Sequence, residues 1–394
     1  MTITNRWLLP EGVDEILPPK AMLLEQICRK LIDLFSTWGY EFVIPPMIEY
    51  LESLLIATGE DLDLQTYKVT DQLSGRLMGI RADITPQVAR IDAHLLQRDV
   101  PTRLCYLGSV LHSRTNNSGD SRSPLQLGAE LYGHAGVSSD IEIVKLMLAT
   151  FNSLGIRNVC MDIGHIGIFR SLISEAKLSA EQKSEIFEIL KRKAKDELKI
   201  FYKKLKINDN NSKALLDLID LHGDVTVLDD AVHAFGKLSP NITKYIAEVK
   251  AVTESISDQS DASINIDLAE LRGYNYHTGM IYTAFVPNEG KGIAFGGRYD
   301  DIGSAFGRAR PATGFSTDVK QLLELHNIKD KKLDRILAPI NDDDLLIKKI
   351  TELREKGKIV IQELEGQNST ASEMNCNQLL VFEKNQWVVK DNKK

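Results

Sequence analysis

Two strand-like runs, Arg103–Ser113 and Pro124–His134, stand either side of a short polar loop. A connection of that kind joins neighbouring strands as a hairpin does, without the crossover helix that a parallel pair needs. The pattern recurs. "TYKVTDQLSGRLMGIRAD" alternates on both sides of a polar turn, and strands return together as "ASINIDLAELRG", "GMIYTAFVPN" and "KGIAFGGRYD". Strands in mostly adjacent connection, mixed with helices, predict an α+β core: an antiparallel sheet flanked by helices.

The helices read from their spacing. In "KAMLLEQICRKLIDLFSTWGY" the apolar positions Leu24, Ile27, Cys28, Leu31, Leu34, Phe35 and Trp38 share one face, and Gly39 supplies the stop. Thr85–Pro86 predicts an N-cap followed by proline at the first helical position, opening "PQVARIDAHLL". "SSDIEIVKLMLATFNSLG" predicts a further helix with Ser139 as cap and Gly155 as stop. Over residues 171–257 glycine nearly vanishes, lysine and glutamate dominate, and helical spacing prevails, which predicts a helical insert. The expected division is a core over 1–330, carrying that insert, and a small C-terminal α/β appendage over 331–394.

Composition narrows the class. The 48 Lys and Arg against 55 Asp and Glu leave a net charge of −7, which argues against a nucleic-acid coat. No apolar run approaches the roughly 20 residues that cross a bilayer, and "MTITNRWLLPEG" lacks the basic start and apolar run of a secretory leader. Cys28, Cys105, Cys160 and Cys376 form no CxxC pair, so reduced thiols are expected and no metal or redox motif. A cytoplasmic protein with no membrane contact and no cofactor is the expectation.

Four segments carry chemistry. In "RADITPQVAR", Arg81, Asp83 and Thr85 sit where a strand meets a helix. In the second run of the strand pair, Gln126 and Glu130 are four residues apart and so face the same way, with Gly128 leaving room between them. "ELRGYNYHTG" holds Arg272, Tyr274, Tyr276 and His277, and "GIAFGGRYDDIGSAFG" is rich in glycine. Each has a plain alternative: solvent-facing strand residues, a structural histidine, turn glycines, and Asp83 as a helix cap.

Together, and in this order, the segments resemble the catalytic core of histidyl-tRNA synthetase, a class II aminoacyl-tRNA synthetase. "GYEFVIPPMIEY" resembles motif 1, which builds the dimer interface. "RADITPQVAR" resembles the "RPEGT" segment, and the strand pair resembles motif 2. "LRGYNYHTG" and "AFGGRYDDI" resemble two signatures of histidyl enzymes, and "ATGFSTDVKQLLEL" resembles motif 3. The resemblance implies a class II sheet and a histidine site. In it Gln126 and Glu130 hold the imidazole or amine, Asp83 and Thr85 help with the amine, Arg272 meets the carboxylate, Tyr276 faces the imidazole, and His277 replaces a second tyrosine. A zwitterion needs such a set: an anion for its amine, a cation for its carboxylate and polar partners for its ring.

The nucleotide side departs from the family. His112 stands where motif 2 has the arginine that grips the α-phosphate, and Arg114 where it has an acidic residue. Gly119–Asp120 replaces a Gly-Arg pair, and Gln321 replaces the arginine of motif 3. Loss of one preorganised donor costs about 10²–10³ in rate, and neutral histidine lacks arginine's permanently charged fork. The appendage is also shorter than the family's anticodon-binding domain and has no evident basic aromatic surface for unstacked bases, so no tRNA partner is expected. This combination resembles the regulatory subunits of ATP phosphoribosyltransferase. It implies a non-catalytic chain that dimerises through the motif-1-like region and joins the short-form catalytic subunit in a hetero-octamer of four plus four. Such a chain takes part in the first step of histidine biosynthesis and its feedback regulation by L-histidine. The alternative is a divergent histidyl-tRNA synthetase that activates histidine with ATP.

Overall fold

The structure is a computed structural model describing residues 7–56, 60–115, 120–176, 178–206, 210–257, 261–274, 276–327 and 334–392. The chain divides into two compact units, Met1–Asn327 and Ile328–Lys394.

Among the described residues, twelve strands belong to the first unit: β1 (Glu41–Phe42), β2 (Ile48–Tyr50), β3 (Tyr67–Thr70), β4 (Leu77–Ile80), β5 (Thr102–Ser109), β6 (Leu125–Tyr132), β7 (Cys160–His165), β8 (His222–Gly223), β9 (Ser263–Asp267), β10 (Met280–Phe285), β11 (Ala294–Arg298) and β12 (Ala312–Asp318). Nine form one sheet in the order β1-β5-β6-β12-β11-β10-β7-β9-β8, and β2-β4-β3 form a second. The centre of the large sheet is antiparallel, as the hairpin-like connections require. Toward the margins the sheet is mixed, because β1 joins β5 and β9 joins β7 in parallel. Pro45 and Pro46 split the extended motif-1-like run into β1 and β2, since proline cannot donate to a ladder.

Register sets the two faces. Residues directly opposite one another share a face, as do residues two apart on one strand. Three rows follow: Gly108–Gln126–Asp318, Tyr106–Gly128–Ser316–Phe295–Thr283, and Leu104–Glu130–Gly314–Gly297–Ile281. The opposite face carries Phe315, whose ring meets Phe35 of the Lys20–Thr37 helix edge-on at 5.9 Å. That helix buries Ile27, Cys28, Leu31 and Phe35 of the stripe read from the sequence and leaves Leu24, Leu34 and Trp38 half-buried, and Gly39 follows its end at φ +82.

Two expected caps differ. The Thr85–Arg90 helix has Ile84 at its N-cap, and Thr85 turns its hydroxyl to Tyr106 instead. The Val137–Ser153 helix has Gly136 at its N-cap, and Ser139, buried in the first turn, meets Arg298. The predicted single helix "PQVARIDAHLL" also widens into one π-helical turn at Ile91–Leu96. There Asp92 forms a buried ion pair with Arg310 at 2.7 Å.

The insert is helical as expected, with helices over Ala180–Lys191, Lys195–Leu205, Asn210–Leu218, Val227–Phe235 and Pro240–Ser257. It also lends β8 to the sheet edge. The buried His165 ties the preceding Ile166–Glu175 helix to the last insert helix. One ring nitrogen accepts from the Gly167 amide at 3.1 Å, the other meets Glu248 at 3.2 Å, and the ring stacks on Tyr245 at 4.3 Å.

The second unit is a four-stranded sheet in the order β14-β13-β15-β16, with β13 over Arg335–Ala338, β14 over Ile359–Gln362, β15 over Gln378–Glu383 and β16 over Gln386–Asp391. The Asp344–Glu355 helix links β13 to its parallel neighbour β14 and buries Leu346, Ile350 and Leu353 against the sheet.

Candidate functional site

The site lies on the sheet face opposite Phe315, along the three rows. Glycines make the trough: each leaves a space that a neighbouring polar side chain fills. The Arg81 guanidinium lies over Gly108, the Tyr106 hydroxyl over Gly128, the Glu130 carboxylate over Gly314 and the His277 ring over Gly297. The room expected above Gly128 is therefore occupied by Tyr106.

Glu130 is the deep end, 1% exposed. Tyr106 donates to one carboxylate oxygen at 3.0 Å and Tyr299 to the other. Thr85 joins through the Tyr106 hydroxyl at 2.9 Å. No cation contacts the carboxylate among the described hydrogen bonds. Burial pushes Glu130 up to about 8; Asp83 nearby adds to this, and the tyrosine and threonine hydroxyls act against it. Tyr276 stacks on Tyr299 at 5.0 Å and meets the His277 ring edge-on at 5.2 Å. Burial pushes His277 down to about 4. The Tyr276 hydroxyl is buried and has no partner among the described residues.

The shallow end is polar. Gln126 accepts from the Ile84 amide at 3.0 Å and donates to Asp83 at 2.7 Å, which fixes its amide orientation. Asp83 also accepts from the Thr85 amide at 3.1 Å, so one carboxylate holds both the Gln126 side chain and the start of the Thr85–Arg90 helix. Across the β6–β12 ladder, Gln126 faces Asp318. Asp318 lines a cavity of about 490 Å³ with His112, Arg114, Asp120, Arg272, Lys291, Phe295 and Gln321 among others.

That cavity gathers the four residues that stand where the resemblance puts a nucleotide site. Most of their polar groups are turned onto the protein itself or left exposed. The His112 Nε2 faces the Ala82 carbonyl at 3.0 Å, so it donates to the protein itself. Asp120 is paired with Lys291 at 2.9 Å. Gln321 brings an amide nitrogen that is buried without a partner among the described residues, and Arg114 is exposed. Arg122 is a structural clamp, donating to the carbonyls of His112 at 3.0 Å and Glu11 at 3.2 Å. Gly119 lies outside the described residues.

Arg272 belongs to this cavity by position. Its guanidinium lies 5.3 Å from the Phe295 ring centre and reaches Thr283 at 3.5 Å, and no described contact joins it to Glu130. The structure thus brings Asp83, Thr85, Gln126, Glu130, Tyr276 and His277 into one trough, with Arg272 at the cavity end. Sequence reasoning missed Tyr106, Tyr299, Lys291 and Phe295. Tyr106 was open to the same alternation argument as Gln126, whereas Tyr299 follows β11 and no periodicity reaches it. Arg81 donates to the Ser109 carbonyl at 2.9 Å and the Pro45 carbonyl at 2.8 Å, so it is a structural brace at the Gly108 end of the trough.

The trough makes Gly314 testable. A methyl group there overlaps the Glu130 carboxylate. Gly314→Ala is expected to cost about 1–3 kcal/mol by overpacking. Combined with Glu130→Ala it should cost less than the sum of the two, a coupling that urea unfolding of the four species measures.

Among the described residues no three His, Cys, Asp or Glu gather as metal ligands, and no helix is long and apolar enough to cross a membrane. All four cysteines are free thiols.

Comparison with known proteins follows the same division of the chain. Residues 12–322 match the family profile described as histidyl-tRNA synthetase. Residues 333–390 match that of the ATP phosphoribosyltransferase subunit HisZ C-terminal domain. The chain is 51% identical over 99% of its length to the ATP phosphoribosyltransferase regulatory subunit of Thioalkalivibrio sulfidiphilus, covering 100% of that protein. It is 48% identical over 99% of its length to that of Ectopseudomonas mendocina, covering 99% of it. A solved structure from Bacillus halodurans, described as an ATP phosphoribosyltransferase regulatory subunit/histidyl-tRNA synthetase, superposes with a TM-score of 0.83 at 25% identity, covering 95% of this chain and 97% of that one.

Proposed function

The chain belongs to the family of ATP phosphoribosyltransferase regulatory subunits and serves histidine biosynthesis as a regulatory, non-aminoacylating chain, and we propose that it does so by binding L-histidine in the trough. One observation carries this reading: a buried carboxyl ringed by tyrosine hydroxyls opens, along one sheet face, to a polar shallow end and then a cationic cavity. The imidazole lies deep, between Glu130 and the unpartnered Tyr276 hydroxyl. The amine sits at Asp83, Gln126 and Thr85, and the carboxylate points toward Arg272. The order matches burial, since the ring is the part of histidine that gains from leaving water and the zwitterionic end needs charged partners.

The nucleotide side supports a ligand response without adenylation. Three cations (Arg114, Arg272 and Lys291) face two carboxylates (Asp120 and Asp318), and two of the cations are already paired, Lys291 with Asp120 at 2.9 Å and Arg272 with Glu270 at 3.7 Å. On this reading the chain works in the cytoplasm, dimerises through the motif-1-like region, and joins four short-form catalytic subunits in a hetero-octamer of four plus four without tRNA. Histidine prefers one arrangement of that complex, so the catalytic subunit and histidine affect each other's affinity by the same factor.

The test is the rate of phosphoribosyl-ATP formation by the short-form catalytic subunit of the same organism, with and without this chain, across a histidine titration. The expected result is a higher rate with the chain and a changed response to histidine. An unchanged rate with no complex by size would sink the reading, and histidine-dependent ATP–pyrophosphate exchange would replace it with the synthetase alternative.

A further inference from the structure

The loop that carries Tyr276 and His277 has little regular structure of its own. It turns at Gly273, whose φ is +66, and its internal bonds run from the Tyr276 and His277 amides to the Gly273 carbonyl at 2.8 and 2.7 Å. What holds it in place comes from outside. The Arg170 guanidinium, on the Ile166–Glu175 helix, donates to the Tyr274 carbonyl at 2.7 Å and the His277 carbonyl at 2.9 Å. The same guanidinium lies 5.0 Å from the Tyr274 ring centre. That ring packs against Phe169 at 5.4 Å and Phe187 at 4.7 Å, and Phe187 belongs to the Ala180–Lys191 helix of the insert. The helix bearing Arg170 is in turn pinned to the last insert helix through His165, Glu248 and Tyr245.

We propose that Arg170 is the positioning residue of the ligand-facing loop, and that through the Tyr274–Phe187 contact the helical insert becomes part of the histidine site. The inference rests on the histidine reading above. One guanidinium spans both carbonyls of the loop that carries Tyr276 and His277 to the trough. Both bonds leave one terminal nitrogen, Nη2, and arginine suits the task because its rigid planar head fixes the direction of that nitrogen's two hydrogens, while lysine brings a freely rotating point charge. Ligand in the trough fixes Tyr276 and His277, and the loop then bears on the insert through Tyr274. Occupancy of a site on the sheet is thereby felt by helices on its far margin, whose position a partner subunit can sense.

Two measurements on the full chain test this. Without histidine, amide hydrogen exchange at Tyr276 and His277 is expected to be at least tenfold faster in Arg170→Met than in the wild type. By calorimetry, histidine should bind Arg170→Met at least tenfold more weakly, with Arg170→Lys in between. Phe187→Leu, which keeps an apolar side chain on the insert, should weaken binding in the same direction by a smaller factor and guards against a folding defect in the arginine variants. Wild-type exchange and affinity in Arg170→Met would overturn the proposal, as would a loss that Arg170→Lys does not relieve at all. If the wild type itself fails to bind histidine, the reading beneath is lost, while the exchange measurement still decides whether Arg170 holds the loop.

Discussion

Glu130→Ala is expected to abolish the histidine response of the complex while leaving the chain folded. Removing one partner of a buried, hydrogen-bonded charged contact costs about 2–5 kcal/mol, which raises the dissociation constant at least about 30-fold. The fold should survive because Glu130 is held by hydroxyls rather than by a buried cation, so its removal leaves no uncompensated charge.

The proton makes this prediction sharper. With Glu130 pushed up to about 8, the free protein holds its carboxyl protonated at neutral pH. Free imidazole, with a pKa of about 6.5, is neutral there. In the proposed complex one proton is shared between ring and carboxyl. Between about 6.5 and 8 that proton is already present and binding needs none from water. Above about 8 the free carboxyl has lost it, the complex must take one up, and affinity falls as pH rises. Below about 6.5 both partners are protonated, one proton must leave, and affinity falls as pH drops. Glu130→Gln can still donate an amide hydrogen to a neutral ring nitrogen but cannot ionise, so it should lose the Glu130 part of the alkaline decline. Calorimetry between pH 6 and 9 distinguishes the cases, and an identical alkaline limb in both proteins would remove Glu130 from the ring.

How much of this was legible in the sequence depends on which physical signal each residue carries. Gln126 and Glu130 were legible because alternation along one strand is a local property, and the structure places both on one face with Gly128 between them. The space above Gly128 was misjudged because its occupant, Tyr106, comes from the neighbouring strand, and register is invisible until the strands are paired. Thr85 and Ser139 have the composition of helix caps, but each hydroxyl is used in tertiary structure, by Tyr106 and by Arg298. Propensity gives way where a buried partner offers a better bond. The glycines of "AFGGRYDD" were open to a phosphate or a turn reading. They serve neither, since Gly297 admits the His277 ring and Gly296 the Tyr282 ring. The helical insert was plain from its texture, but nothing in its sequence shows that Phe187 reaches the loop of Tyr274, because that contact joins segments far apart in the chain.

Arg298 stands beside the site residue Tyr299 and carries the largest expected effect on stability. Its guanidinium is buried, donating to Asp140 at 3.1 and 2.7 Å, to the Ser139 hydroxyl at 2.8 Å, and to the carbonyls of His134 and Gly136, both at 3.2 Å. It thereby joins β11 to the first turn of the Val137–Ser153 helix and to the turn before it. Arg298→Met removes the cation and leaves Asp140, 3% exposed, without an ion pair among the described residues. Breaking a buried pair from one side costs about 3–5 kcal/mol, and amide exchange at β6 and β11 should show that loss in the full chain. The pH dependence fixes the cause. Burial already raises the Asp140 carboxyl and Arg298 pulls it back down. Without the arginine the folded value rises further above the unfolded value of about 3.9, so the folded state holds a proton that the unfolded state releases. Stability lost to Arg298→Met should therefore be greater at pH 8 than at pH 5, and Asp140→Asn in the same chain should recover part of it and flatten the dependence. A loss independent of pH, unrelieved by Asp140→Asn, would assign the effect to the packing of the arginine stem instead of to the buried charge.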